Sequence, residues 1–200
     1  KSFNKKVFAM GLSLGILISG RGSNMLNIVD ACLKKKINAE VKIIISNNTK
    51  SNYLEKLKNS SVKIKVIQNK DFKNNNLYEE KISTMLKSEK VELVCLAGYT
   101  RVLSKNFLNN WKNQVINIHP SLLPSFKGLN AQEKAFNYRV KYTGCTVHYV
   151  NEELDGGEII DQRVVEIKDD DDIDSLKKKI LKEEHKLYIN VIDKLSKKGL

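Results

Sequence analysis

The sequence predicts a doubly wound α/β fold, in which a mostly parallel sheet is flanked by helices and carries an antiparallel strand pair near its C-terminal part. Short apolar runs rich in β-branched residues alternate with amphipathic stretches, which favours parallel strands joined by helical crossovers. The run from Val91 to Ala97 is almost entirely apolar, as expected of a strand buried on both faces. The last two predicted strands are joined by NEELDGG, a loop too short for a helical crossover, so we expect them to pair antiparallel.

The individual elements follow from periodicity and from the residues at their ends. The first predicted helix places Met25, Ile28 and Val29 on one face and ends in lysines, which suit the negative end of its dipole. The last helix begins at an acidic cluster and has one apolar face. The predicted strands cover residues 12–19, 40–46, 62–67, 91–97, 114–118, 143–150 and 158–167. The predicted helices cover about residues 24–36, 51–59, 77–88, 104–111 and 131–138, before the long helix that follows residues 169–172.

Length and composition indicate one domain with a substantial core, because the 200 residues are 41% hydrophobic. We therefore expect residues 1–200 to form a single domain. The formal net charge is +12, but it comes from lysines scattered among Asn and Glu, with Arg only at positions 21, 101, 139 and 163. This pattern is typical of solvated faces and not of a nucleic-acid footprint. A basic surface also attracts anionic small molecules.

The cysteines and the first residues of the chain indicate a reducing, cytoplasmic location. Cys32, Cys95 and Cys145 lie far apart in apolar runs without CxxC spacing, so we expect buried thiols, no disulfide and no bound metal. The first twenty residues imitate a secretory signal. They lead straight into a glycine loop and an amphipathic helix, which favours a first buried strand. No other run approaches the length of a membrane span.

A predicted strand at residues 114–118 brings polar groups to the edge of the sheet. Side chains alternate along a strand, so Asn117 and His119 point the same way. Pro120 removes a backbone donor and is expected to hold His119 at the rim, beyond the end of the strand. Ligand sites of open parallel sheets lie at this rim. A structural His and a loop-capping Asn are the alternative interpretation.

The turn SGRGSN, between the first predicted strand and helix, is a candidate anion site. Its glycines let the backbone approach a ligand, and the amides of Gly22, Ser23 and Asn24 are free at a helix N-terminus. The turn matches neither the dinucleotide pattern GxGxxG nor the phosphate-loop pattern GxxxxGK. A glycine-rich turn capped by Ser or Asn remains an equal alternative.

The segment LDGG supplies a candidate carboxylate, Asp155. An acid beside a glycine pair is commonly no more than a β-turn. If the loop folds over the rim of the sheet, however, Asp155 can pair with His119. A carboxylate beside an imidazole favours the charged imidazolium, which is a proton donor.

Six segments together resemble the glycinamide ribonucleotide formyltransferase family, the folate-dependent enzymes of purine synthesis. These segments are SGRGSN, LAGYTRVL, NIHPSLLPSFKG, GCTVHYV, LDGG and EEH. The resemblance implies that the N-terminal half binds the ribonucleotide phosphate through Gly22, Ser23 and Asn24, with Glu184 as a further contact. It implies that the C-terminal half binds folate and carries catalysis. The implied folate-pocket residues are Thr100, Arg101, Val102, Leu103 and Asn117, and the implied catalytic residues are Asn117, His119 and Asp155.

The implied reaction transfers the formyl group of 10-formyltetrahydrofolate to the amine of glycinamide ribonucleotide, giving the N-formyl product and tetrahydrofolate. Asn117 and protonated His119 are expected to donate hydrogen bonds to the oxyanion of the tetrahedral intermediate. His119 then acts as general acid toward the leaving folate nitrogen. Asp155 keeps His119 protonated and helps to remove the amine proton through a water. The implied partners are these two small molecules, with no metal, nucleic acid or membrane, and the chain is expected to be a monomer or a homodimer.

Three positions depart from the family pattern and concern binding strength. Asn75 stands where relatives commonly have Arg, with Lys73 as a possible substitute, Thr100 replaces an apolar residue and Gln114 replaces an Arg of some relatives. Methionyl-tRNA formyltransferase and formyltetrahydrofolate deformylase share the core, but each adds a further domain for which 200 residues leave no room. A non-catalytic folate- or nucleotide-binding module is the alternative from another class.

Overall fold

The computed structural model describes residues 11–20, 22–49, 56–57 and 60–198. Seven strands in these residues form one sheet with the order β3-β2-β1-β4-β5-β6-β7. The first five strands run parallel, whereas β6 pairs antiparallel with both β5 and β7. This confirms the predicted fold class. The strands are β1 (Leu12–Ile18), β2 (Ala39–Ser46), β3 (Lys63–Val66), β4 (Leu93–Leu96), β5 (Val115–His119), β6 (Tyr142–Tyr149) and β7 (Ile159–Glu166).

The described residues also form five α-helices and one 3-10 turn at Asn69–Asp71; the last helix follows β7, and the other helices lie between strands. The predicted helix at residues 51–59 falls largely outside those residues. The first helix ends earlier than predicted, because Lys34 closes it and Lys35 has the left-handed φ of 53°. The helices are α1 (Ser23–Leu33), α2 (Asn75–Ser88), α3 (Lys105–Asn110), α4 (Ala131–Asn137) and α5 (Ile173–Lys198).

The sheet separates two apolar layers, as the alternation of strand side chains requires. Ile16 of β1 packs into the layer formed with α1 and α5, and the adjacent Leu17 packs into the layer formed with α2 and α3. Each buried aliphatic side chain of this kind stabilises the fold by roughly 1.5–3 kcal/mol. Tyr188 of α5 ties two central strands together, since its hydroxyl lies 2.9 Å from the carbonyl oxygen of Leu96 and 3.2 Å from that of Ile116.

The strand order reverses between β1 and β4, and this reversal opens a crevice at the carboxyl ends of these two strands. The chain moves outward from β1 to β3 and then returns to the other side of β1 to form β4. The loops after β1 and β4 therefore diverge above the carboxyl ends of the strands, where open α/β sheets bind ligands. They remain linked at the base, because Ser19 N donates to Gly98 O at 3.2 Å and Thr100 N donates to the Ser19 hydroxyl at 3.0 Å.

The end of β5 lies one residue later than predicted. His119 is the last residue of the strand and pairs with Thr146 of β6, so the expectation that it stands beyond the sheet is wrong. The restriction that Pro120 places on its predecessor explains this difference, because extended geometry at His119 continues the ladder. The imidazole is consequently fixed by the sheet.

Candidate active site

His119 and Asp155 lie against each other at the rim of the sheet. The imidazole Nδ1 is 3.4 Å from the carboxylate Oδ2, and the two side chains are 7% and 9% exposed. His119 ends β5, whereas Asp155 comes from the loop at residues 150–158 between β6 and β7. The loop thus folds back toward the rim, as the pairing hypothesis required. At such burial, water screens the attraction between the two groups weakly.

The second ring nitrogen of His119 is held by the main chain. Its Nε2 lies 3.0 Å from the carbonyl oxygen of Phe126. A carbonyl only accepts, so Nε2 carries a hydrogen and donates it. Phe126 has a left-handed φ of 53°, and the Ser121 hydroxyl donates to Ser125 O at 2.5 Å within the same loop. The tautomer is therefore set by the backbone, and Nδ1 is the nitrogen left to exchange a proton beside Asp155.

Asp155 is anchored by the loop after β5. Gly128 N donates to Asp155 Oδ2 at 2.8 Å, and the adjacent Lys127 pairs at 2.6 Å with Glu153, two residues before Asp155. Gly128 has a φ of 78°, a conformation that suits only glycine well, and Asp155 itself has a φ of 49°. Two backbone positions of left-handed conformation thus meet at one hydrogen bond, which fixes the carboxylate toward His119.

Asn117 contacts a histidine that the sequence reasoning did not single out. Its Nδ2 lies 3.2 Å from Nε2 of His148, the residue opposite it in the β5–β6 ladder. His148 Nδ1 lies 2.8 Å from the carbonyl oxygen of Tyr149, so Nδ1 is the donor and Nε2 accepts from the amide. Burial lowers the pKa of His148, which favours this neutral form. The signal in the sequence was GCTVHYV, but only the strand register brings its histidine to Asn117.

A cavity of about 420 Å³ opens beside these groups. Its walls include the predicted folate residues Thr100, Arg101, Val102 and Leu103 together with Asn117, His119, His148 and Asp155. The lining is mostly apolar with a few convergent polar groups, which is the usual make-up of a small-molecule site. Gln114 lies elsewhere, in a cavity of about 640 Å³ lined by Lys112, Lys194 and Lys198, and Lys73 lines neither cavity.

Arg101 is oriented by a chain of polar groups from α2. Its Nη2 donates to Asn75 Oδ1 at 2.8 Å, and its guanidinium carbon lies 5.3 Å from the centre of the Tyr78 ring. Asn75 Nδ2 in turn donates at 2.9 Å to Glu79, a buried carboxylate that also accepts from Ser104 N at 3.0 Å. Asn75, which departs from the family pattern, therefore positions Arg101, the one arginine of the cavity wall among the described residues.

The predicted phosphate loop meets Glu184 of α5. Gly22 has a φ of 73° at the start of α1 and leaves the first amides of the helix free of helical partners. Asn24 Nδ2 donates to Glu184 Oε2 at 2.7 Å, although the two residues come from opposite ends of the chain. Burial raises the pKa of Glu184, and the bond from Asn24 partly offsets this effect. Asn24 Oδ1 is buried without a hydrogen-bond partner among the described residues, so an acceptor is available for a ligand.

The cysteines take no part in these clusters. All three are free thiols, and burial raises the pKa of Cys32 to about 11 and that of Cys145 to about 12. In the described part of the chain, no group of three His, Cys, Asp or Glu side chains has the arrangement that a metal ion needs. None of the helices in the described ranges is both long and apolar enough to cross a membrane.

The fold and the rim site define an α/β protein with a cavity at the carboxyl ends of its strands, where open α/β sheets bind their ligands. Comparison with known proteins then identifies its family. The sequence pattern of the formyl transferase family matches residues 13–192. The chain belongs to the formyl transferase family, which confirms the resemblance seen in the six motifs.

Two named relatives show which members of the family the chain is similar to. The chain is 37% identical over 179 residues to phosphoribosylglycinamide formyltransferase of Haemophilus influenzae, which covers 90% of this chain and 84% of the relative. It is 39% identical over 187 residues to the human trifunctional purine biosynthetic protein adenosine-3, covering 94% of this chain but 18% of the relative. The chain thus spans less than a fifth of the length of that human protein.

Solved structures agree with the sequence relatives. Glycinamide ribonucleotide transformylase 1 from Symbiobacterium toebii superposes with a TM-score of 0.90 at 34% identity, over 96% of this chain and 92% of that chain. Phosphoribosylglycinamide formyltransferase from Anaplasma phagocytophilum gives a TM-score of 0.86 at 41% identity, over 94% and 87% of the two chains. The fold, including its antiparallel β5-β6-β7 part, is that of these transformylases.

Proposed function

We propose that this chain transfers the formyl group of 10-formyltetrahydrofolate to the amine of glycinamide ribonucleotide, a step of purine synthesis, and that it does so as a single domain. The observation that carries the proposal is the pairing of His119 with Asp155 at 3.4 Å beside the cavity that Asn117 also lines. The names of the relatives in the formyl transferase family support the same substrates.

The reaction creates charge at two places. The amine of the ribonucleotide attacks the formyl carbon, which turns the formyl oxygen into an oxyanion and leaves a proton on the attacking nitrogen. Asn117 Nδ2 and His119 Nδ1 lie on one side of β5. The amide donates a hydrogen bond to the oxyanion, and the single Nδ1 hydrogen of the imidazolium, which lies beside Asp155 Oδ2, is shared between that carboxylate and the oxyanion. In a water-poor site, each such donor lowers the barrier by about 3 kcal/mol.

Proton transfer completes the step. Asp155 stabilises the His119 imidazolium and accepts the amine proton through a water. His119 Nδ1 then gives its proton to the folate nitrogen as the bond from that nitrogen to the formyl carbon breaks. The products are the N-formyl ribonucleotide and tetrahydrofolate. Positioned acid–base groups of this kind contribute roughly 10²- to 10⁴-fold in rate.

The two substrates occupy different parts of the crevice. The free amides at Gly22, Ser23 and Asn24 bind the ribonucleotide phosphate. Glu184 is a further contact to the ribonucleotide. The folate lies in the cavity of about 420 Å³ along the loop from Thr100 to Leu103. Val102 and Leu129, which are 64% and 73% exposed, become covered by the folate ring and its aromatic linker.

The direct test is an assay of the purified chain with both substrates, in buffer containing a chelator. We expect formylation of glycinamide ribonucleotide with one tetrahydrofolate formed for each product. Release of formate in the absence of the ribonucleotide would instead indicate a deformylase. Formylation of methionyl-tRNA alone would indicate the tRNA enzyme, and tight folate binding without turnover would indicate a binding module.

A further inference from the structure

His148 is an almost fully buried histidine in the strand next to Asn117, and it has no role in the reaction as described above. It is 2% exposed and stands directly opposite Asn117 in the antiparallel β5–β6 ladder. Both of its ring nitrogens are engaged, Nδ1 by Tyr149 O at 2.8 Å and Nε2 by Asn117 Nδ2 at 3.2 Å. The imidazole therefore cannot rotate without losing two contacts.

The hydrogen bond between Asn117 Nδ2 and His148 Nε2 decides whether the nitrogen or the oxygen of the Asn117 carboxamide faces the cavity. The amide nitrogen has two hydrogens, of which His148 Nε2 accepts one. The other hydrogen is then free for the formyl oxygen. If the carboxamide turned by half a revolution, its oxygen would replace its nitrogen and would repel the oxyanion. Since Asn and Gln side chains turn readily unless a hydrogen bond holds them, the acceptor on His148 selects the productive orientation.

We propose that His148 is a positioning residue, which acts as a neutral hydrogen-bond acceptor and holds the Asn117 carboxamide with one N–H directed at the reacting formyl oxygen. This role rests on the proposed formyl transfer. His148 lines the folate cavity, but it acts on the reaction through its hydrogen bond with Asn117. His148 thus supports the Asn117 amide, which is the preorganised hydrogen-bond donor. A small displacement of that donor from the formyl oxygen would lower the reaction rate.

The same geometry makes the orientation sensitive to acid. A protonated His148 would direct an Nε2–H at the amide hydrogens of Asn117, so the carboxamide must turn to present its oxygen. The charged groups that face His148 are Asp155 from the β6–β7 loop, with Oδ1 at 3.8 Å, His119 from β5 and Lys127 from the loop after β5. Burial lowers the pKa of His148 and outweighs the opposite effects of the Tyr149 carbonyl and Asp155, while His119 and Lys127 act in the same direction as burial.

Two substitutions at His148 distinguish the effect of its hydrogen-bond acceptor on kcat from the effect of its ring volume. His148→Leu removes the acceptor, and we expect kcat to fall about 100-fold while the KM values for both substrates change little, which is the effect of losing one transition-state donor. His148→Gln places an oxygen near the position of Nε2 that cannot be protonated. It should retain kcat within several-fold and extend activity to lower pH than in the parent protein. His185→Gln on α5 is the control, because burial also lowers the pKa of His185. This substitution should leave the decrease of kcat at acid pH the same as in the parent protein.

A spectroscopic measurement keeps the inference independent of turnover and of the folding of the Leu variant. In the 15N-labelled parent protein, the side-chain amide signals of Asn117 should shift as His148 titrates below its ordinary value of 6.5, and this shift should vanish in His148→Gln. An Asn117 signal that ignores the titration, a folded Leu variant with parental kcat, or a Gln variant as slow as the Leu variant would each overturn the proposal. Failure of the parent protein to transfer formyl, with the amide shift intact, would overturn the proposed function alone.

Discussion

His119 Nδ1 lies 3.4 Å from Asp155 Oδ2, although one residue ends a central strand and the other belongs to a loop beyond the next strand. The contact depends on two further bonds, from His119 Nε2 to Phe126 O and from Gly128 N to Asp155 Oδ2. The loop after β5 therefore holds both partners.

The first prediction concerns the carboxylate. Asp155→Asn keeps an oxygen that can accept from Gly128 N, so the loop stays folded, but it removes the charge beside His119. We expect kcat to fall by about 10²- to 10⁴-fold, as for the loss of a general acid–base pair. Steady-state kinetics at saturating substrates measure the effect, with thermal unfolding as the control for folding. Parental turnover in a folded Asp155→Asn protein would exclude the mechanism.

The second prediction concerns the phosphate loop. Gly22 has a φ of 73°, so a β-branched side chain forces the backbone out of this conformation. Gly22→Val should weaken ribonucleotide binding about tenfold or more, since such strain is worth roughly 1–3 kcal/mol, and should leave folate binding nearly unchanged. Separate calorimetric titrations of the two ligands decide the matter. The control is Gly20→Ala in the same loop, where the nearest described atom to the added carbon would be Gly98 O, at an ordinary 3.8 Å. Equal losses for both ligands would contradict a phosphate role.

The third prediction concerns Glu184, whose burial raises the pKa of its carboxyl above 4.5. The unfolded chain releases this proton first, so stability falls as pH rises from 4.5 through the folded pKa and stays lower above it. Glu184→Gln can still accept from Asn24 and has no charge to bury. We therefore expect a higher urea midpoint at alkaline pH together with roughly 10-fold to 100-fold weaker ribonucleotide binding.

Glu183→Gln provides the matched control for that variant. Glu183 pairs with Lys186 at 2.6 Å near the surface of the same helix, where ion pairs contribute little. Its substitution should change neither the pH dependence of stability nor ligand affinity. If Glu184→Gln behaves like this control, burial does not raise the pKa of the Glu184 carboxyl and Glu184 is not a contact to the ribonucleotide.

The fourth prediction concerns Asn75. Asn75→Ala removes the acceptor that orients Arg101, so we expect the KM for the folate substrate to rise about tenfold, the effect of roughly one charge-assisted hydrogen bond, with kcat little changed. Asn74→Ala is the control. Asn74 Oδ1 accepts from Leu77 N at the start of α2, so its loss destabilises the helix by about 1 kcal/mol without touching Arg101. A larger rise of KM in the Asn74 variant would assign the effect to the helix and not to Arg101.

Local sequence patterns predicted most of the fold. Alternation along each strand and the 3.6-residue period of the helices reflect burial on one face, which is a property of neighbouring residues. The same patterns placed Asn117 and His119 on one side of β5 and directed attention to the rim. They were less accurate at element ends, where Lys35 and His119 show that capping and ladder bonds decide the boundary.

The order of residues along the chain is enough to predict the fold class, the strand that leads to His119 and the motifs of the family. Three contacts become visible only in the folded molecule: His148 faces Asn117, Phe126 fixes the tautomer of His119 and Asn75 orients Arg101. The physical reason is that local periodicity reports which side of an element is buried. Contacts between side chains from separate elements depend instead on strand register and on the path of each loop, which periodicity does not encode.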